Sequence, residues 1–166
     1  NDAPMKKRQY QVVPYYIDMF RHMFRDWLAE NGMEFDWENC DLYCTDMPMI
    51  QFKMAITEKY YAEIYEHLRA IGVRIPIAGT NWTRCDGFVK THEKMDFTDS
   101  HHYFYDWRWG NNERVCANQS ITSYPYAFLN MTRMKLANKP LFISEWDVPW
   151  PNSYRAEGPI YYAAVG

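Results

Sequence analysis

The sequence has no basic stripe, no apolar run approaching membrane length and no zinc-type cysteine pairing, and each absence removes a class of function. Eighteen Lys and Arg stand against 21 Asp and Glu, a net charge of −3 with the signs interspersed, so no nucleic-acid partner is expected. A membrane span needs roughly 20 consecutive apolar residues, and no run here comes near that, so no membrane partner is expected either. Cys40, Cys44, Cys85 and Cys116 do not form paired Cys-x-x-Cys motifs. Free thiols are the default for all four, although Cys40 and Cys44 are spaced to share a helix face or to bridge a loop. His22, His67 and His92 read as exposed or looped, so neither a metal site nor a cofactor is assigned. Long polar linkers and low-complexity tracts are also missing. The chain opens without an initiator Met or a signal peptide and closes on a helix barely begun. A single incomplete domain over residues 1–166, truncated at both ends, is the expectation.

What the sequence has in quantity is aromatic side chains, 18% of residues, including 14 Tyr and 7 Trp. Rings with an apolar face and a polar tip suit the stacking of sugars and other flat, half-apolar ligands. A bulky core with tyrosines at its rim would use them equally well.

Apolar spacing divides the chain into alternating elements. Tyr15, Tyr16, Met19, Phe20, Met23, Phe24, Trp27 and Leu28 recur four apart and predict a helix over 14–31 with one wide apolar stripe. Pro14 suits its first turn, and Asn31-Gly32 is a stop signal. Residues 33–52 lack a steady period and read as a long irregular connection. A second helix is expected over 55–71, capped by Thr57, burying Tyr61, Ile64, Tyr65, Leu68 and Ile71, and stopped by Gly72. Val73–Ala78 is β-branched and apolar, which predicts a strand weakened by Pro76. Further strands are expected near 95–101 and 140–145, with a helix near 124–137 between them and another starting near Tyr154. Helices alternating with strands buried on both faces define an α/β class with a parallel sheet.

Each predicted strand ends in polar and aromatic residues: Gly79-Thr-Asn81-Trp82, Asp99-Ser-His101-His-Tyr103 and Ser144-Glu145-Trp146-Asp147. In parallel α/β architectures the active site lies at the carboxyl ends of the strands. The period of two puts Asp99, His101 and Tyr103 on one face, where the His and Tyr are placed to hydrogen-bond a carboxylate on the neighbouring strand. A Tyr and His cluster that satisfies only its own polar atoms fits the same spacing. Glu145 follows a mostly apolar run, and a carboxylate in a central strand must be paired or functional. A strand end emerging into water is the plainer reading of Glu145 and Asp147. Trp146 and Trp150 flank Glu145 as candidate sugar platforms, and Trp82, Trp107 and Trp109 fall on strand-end loops. Asn81-Trp-Thr, Asn118-Gln-Ser and Asn130-Met-Thr match the N-glycosylation pattern, one that recurs often by chance.

With Asp99-x-His101-x-Tyr103 followed by Ile143-Ser-Glu145-Trp146, the chain resembles the clan A glycoside hydrolases, the retaining (β/α)8-barrel enzymes that include the family 5 cellulases and mannanases. The resemblance covers most of the chain, with 33–52 unmatched. It implies a partial (β/α)8 TIM barrel: the helix from Pro14 follows the fourth strand, and the fifth, sixth and seventh strands end at Trp82, Tyr103 and Trp146. It further implies that Glu145 is the nucleophile, oriented by Tyr103, and that His101 contacts substrate or the acid/base. Asn81, Trp82, Asp99, Trp107, Trp146 and Trp150 are then the substrate-binding residues, and the substrate is a β-linked oligosaccharide or polysaccharide. The acid/base Glu of that clan ends the fourth strand, which would precede residue 1, so this stretch alone is expected to be inactive or poorly active. Secretion of the parent protein is implied by a polymeric substrate. A noncatalytic carbohydrate-binding α/β module is the alternative reading.

Overall fold

A computed structural model describes residues 13–81, 86–104, 108–110, 113–115, 118–124 and 126–165. The chain divides into two compact units, Asn1–Tyr60 and Tyr61–Gly166.

In the first unit, helix α1 (Pro14–Glu30) starts on proline, whose missing N–H would have no intrahelical partner there. It stops where Gly32, at φ +63°, lets the Gly32 N–H reach the Ala29 carbonyl and the Met33 N–H the Leu28 carbonyl. Helix α2 (Met47–Ala70) starts well before the expected 55, so the stretch 33–52 is irregular only up to Asp46. Pro48 in the first turn, behind Asp46, was the start signal, and the Ile50 N–H bonds to the Asp46 carbonyl at 3.0 Å. Thr57 is therefore not a cap. It lies inside the helix, with its hydroxyl donating to the Lys53 carbonyl. The early turns of α2 bury Met49 and Phe52 against Phe24, Leu28 and Cys40, with Phe20, Trp27, Phe35 and Trp37 packed around them. The Phe24 ring lies 5.0 Å from that of Phe52. The stripe predicted on α1 is covered only in its second half, for Tyr15, Tyr16, Met19 and Met23 are exposed. Cys40 and Cys44 are free thiols, and burial pushes the Cys40 thiol up. Cys85 and Cys116 lie outside the described residues.

In the second unit, the last turns of α2 leave Ile64 and Ile71 exposed, against the buried face expected of them. Gly72, at φ +96°, repeats the stop of α1: its N–H reaches the Arg69 carbonyl and the Val73 N–H the Leu68 carbonyl. The strand predicted at Val73–Ala78 does not form. Pro76 has no donor, the Ile77 N–H goes to the Asp96 carboxylate at 2.7 Å, and the Val73 and Ile75 carbonyls accept from the Arg69 guanidinium. Side chains have taken the groups that a neighbouring strand would need. The Ile77 N–H, the Tyr65 hydroxyl and Arg69 hold the Asp96 carboxyl below its ordinary value.

A short helix α3 (Asp86–Lys90) precedes strand β1 (Thr98–Tyr103), which starts later than expected. Strands β2 (Arg108–Gly110) and β3 (Glu113–Val115) form an antiparallel pair. The helix predicted over 124–137 shortens to α4 (Ala127–Met131), after a single 3-10 turn at Ile121–Ser123. Strand β4 (Leu141–Asp147) pairs in parallel with β1, and helix α5 (Glu157–Val165) follows. The inner face of the β1–β4 pair is closed by Phe104, Ile121, Ala127, Met131, Val148 and Tyr162, joined by Ile143. A Cβ on Gly158 would stand 3.0 Å from the Val148 side chain, so glycine is what lets α5 lie this close. Strand β4 is not buried on both faces: Phe142 is 58% exposed.

Candidate functional site

The residues of β1 alternate. Thr98, Ser100 and His102 are buried, while Asp99, His101 and Tyr103 face the open side. On β4, Ile143 pairs with Ser100 and packs on the core, so Glu145, two residues on, would ordinarily point the same way. It does not, because the ladder skips Ser144: the next pair is His101 with Glu145. One extra residue in β4 moves Glu145 to the open face and returns Trp146 to the inner one, where its ring lies 4.7 Å from that of Tyr162.

On the open face the Tyr103 hydroxyl donates to Glu145 Oε2, and His101 Nδ1 lies 3.3 Å from the same oxygen. The Asn81 amide nitrogen lies 2.6 Å from His101 Nε2. An amide N–H donating to Nε2 leaves the ring proton on Nδ1, facing Glu145, so one neutral tautomer satisfies both contacts. The side chain of Glu145 is 56% exposed and that of His101 21% exposed, so the carboxylate accepts from the Tyr103 hydroxyl and lies beside the His101 imidazole yet is open to solvent.

Asn81 is itself delivered by a buried histidine. His92, expected to be exposed or looped, is 0% exposed. Its Nδ1 meets the Phe88 carbonyl at 3.0 Å, and its Nε2 lies 3.1 Å from the Thr80 nitrogen and 3.0 Å from the Thr80 oxygen. A donor at Nδ1 and an acceptor at Nε2 fasten the backbone next to Asn81. The fit is close, since a Cβ on Gly79 would stand 2.7 Å from the His92 ring.

The other predicted site residues separate into groups. Asp99 stands on the same face but accepts from the Ser144 N–H at 3.2 Å, the Ser144 hydroxyl at 2.8 Å and the Ser100 N–H at 2.8 Å. Trp146 is 41% exposed and Trp150 75% exposed. Trp82 and Trp107 lie outside the described residues, and so does the side chain of Trp109. Behind the site, His102 Nδ1 lies 2.6 Å from the Tyr162 hydroxyl, which donates to the His102 carbonyl at 3.2 Å. Burial pulls the His102 imidazole pKa down, and burial together with the Asp147 charge pushes the Tyr162 phenol up. Sequence reasoning missed His92 and Ser144. A Gly-Thr-Asn segment short of side-chain bulk was a faint signal for the first, and nothing local marked the second. Among the described residues, no group of His, Cys, Asp and Glu is arranged to hold a metal ion.

Compared with protein-family models, curated proteins and solved structures, the chain matches none.

Proposed function

We propose that this chain carries the nucleophile half of a retaining β-glycosidase site, with Glu145 as the nucleophile, within a partial (β/α)8 architecture. The observation that carries this reading is the convergence of the Tyr103 hydroxyl and His101 Nδ1 on one oxygen of Glu145, at the carboxyl ends of two adjacent parallel strands. Both groups meet Oε2, which assigns the attack to Oε1. That oxygen bonds to the anomeric carbon as the bond from this carbon to the leaving oxygen breaks, and the leaving oxygen takes a proton from an acid. Water then adds to the same carbon as the bond to Oε1 breaks, its proton going to the conjugate base of that acid, which frees the sugar and restores the Glu145 carboxylate. Retention needs a second carboxyl about 5–5.5 Å from the first, and the resemblance puts it upstream of residue 1. Trp150, 75% exposed, offers a ring face for a β-linked oligosaccharide or polysaccharide, whereas Trp146 packs on Tyr162 at the inner face.

The test uses a substrate whose departure needs no acid. A 2,4-dinitrophenyl 2-deoxy-2-fluoro-β-glycoside traps the covalent stage, because the fluorine slows the second step and the phenolate leaves unprotonated. The expected result is a mass gain of one fluorosugar on the peptide containing Glu145, abolished in Glu145→Gln. Absence of an adduct across gluco-, manno- and galacto-configured probes would sink the proposal.

The exposure of Trp150 and of the Glu145 side chain favours a second reading, a noncatalytic carbohydrate-binding surface. In that case oligosaccharides change the tryptophan fluorescence while no probe forms an adduct.

A further inference from the structure

Glu145 reaches His101 and Tyr103 only because β4 carries one residue more than β1 at that point. Ser100 pairs with Ile143 and His101 with Glu145, leaving Ser144 without a ladder partner. Bulges are rare between parallel strands, where they leave a backbone N–H unpaired and bend the chain. Here the orphaned group has a partner. The Asp99 carboxylate accepts the Ser144 N–H at 3.2 Å with Oδ1 and the Ser144 hydroxyl at 2.8 Å with Oδ2, and Oδ1 also takes the N–H of Ser100 at 2.8 Å. One side chain thus ties both strands together at the residue where their registers part.

We propose that Asp99 is a positioning residue whose carboxylate holds Ser144 as an extra residue in β4 and so turns Glu145 onto the face of His101 and Tyr103. This assigns Asp99 a task different from the substrate contact that the resemblance implies. The uninterrupted alternative would pair Ser144 with His101 and point Glu145 inward, with Ile143, toward Tyr162. There the carboxylate would lose water and both donors, a cost that frays the strand end before it is met. Either way the contacts of Glu145 are lost once the clamp is gone. The catalytic meaning of the clamp rests on the glycosidase reading, but its geometry does not.

The experiment therefore has a structural arm and a chemical arm, both on the full 166-residue chain. In the first, the Tyr and His rings are isotopically labelled, and the change that Glu145→Gln makes in the Tyr103 and His101 resonances is recorded. It is expected to fall to below about a fifth of its size in an Asp99→Ala background and to persist in Asp99→Asn, whose amide oxygen still accepts the Ser144 N–H. Should Asp99→Ala fail to fold, deletion of Ser144 supplies the second test. It makes Glu145 the direct successor of Ile143, in phase with His101 without any bulge, so adding Asp99→Ala to that deletion should leave the resonance change intact. In the second arm, adduct formation with the fluorosugar probe should drop about 10- to 100-fold in Asp99→Ala and recover in Asp99→Asn. An undiminished Glu145 effect in Asp99→Ala, or loss of the effect in the deletion variant, overturns the clamp even if the wild type is labelled. A clamp-dependent resonance change without labelling supports the clamp and removes the glycosidase reading alone.

Discussion

The two units of the chain are held together by different means. In Asn1–Tyr60 the buried set among the described residues is apolar: Phe24, Leu28, Cys40, Met49 and Phe52, with Phe20, Trp27, Phe35 and Trp37 packed around them. In Tyr61–Gly166, His92, Thr98, Ser100, His102 and Asn152 are buried alongside the apolar core, and several find partners far along the chain. His102 meets Tyr162, and the Asn152 amide donates to the Gln119 carbonyl at 2.9 Å. Apolar packing is non-directional, and many arrangements of similar volume satisfy it. A buried hydrogen bond is satisfied by few geometries and is costly when broken. The first unit is therefore stabilised by quantity of contact. The second has its details specified by direction, which is what a site that aims two donors at one carboxylate oxygen requires.

The largest test of this contrast is Phe24→Ala. Phe24 is 0% exposed, and removing a buried ring from a packed core costs about 3–5 kcal/mol. Phe24→Leu, which keeps most of the volume, should recover more than half of the loss, as urea unfolding will show. A Leu variant as unstable as Ala would mean that this core, too, depends on specific geometry.

A smaller loss is expected in the second unit from Gly79→Ala. The new methyl meets the His92 ring and the Tyr61 ring, which stands 3.0 Å from it, and neither is the loose end of a flexible chain. Overpacking of this kind costs about 1–3 kcal/mol. Because His92 anchors Thr80, the substitution should also displace the His101 ring resonances through Asn81. Full stability with those resonances unmoved would break the link from His92 to the site.

The smallest effect is one of pH. The folded chain holds the His102 imidazole below its ordinary value of 6.5 because burial disfavours the charged ring. The unfolded chain takes up that proton first on acidification. The stability contributed by the neutral ring is complete above the ordinary value and declines as the pH falls through and below it. Unfolding measured from about pH 7 down to about pH 5 should show this slope in the wild type and a flatter one in His102→Gln. An equal slope in both would place the burden of acid sensitivity elsewhere.

Legibility followed the sequence distance between partners, in both units. Helix α1 could be read from its own spacing and from Asn31-Gly32, because its stop is made by groups only a few residues apart. The stop at Gly72 was legible for the same reason. The early start of α2 was missed because its local signal is only Pro48 behind Asp46, and the burial of Met49 and Phe52 against Phe24 that favours it is not announced by the period of the helix. The strand at 73–78 was predicted from β-branched composition, yet its N–H and carbonyl groups went to Asp96 and Arg69, whose approach no local pattern encodes. His92 read as a loop residue because its partners lie on the Thr80 segment, 12 residues away.

At the site, the sequence by itself determined the residue types and the alternation that puts Asp99, His101 and Tyr103 on one side of β1. That alternation is a property of the extended backbone and needs no partner. Which face Glu145 takes was decided only in the tertiary structure. The same period of two, applied to β4, points Glu145 inward with Ile143, and it is the pairing with a strand more than forty residues away that inserts Ser144 and reverses it. Register belongs to two strands together. Only when Asp99 and Ser144 meet is there a physical reason for the carboxylate at 145 to face the phenol at 103.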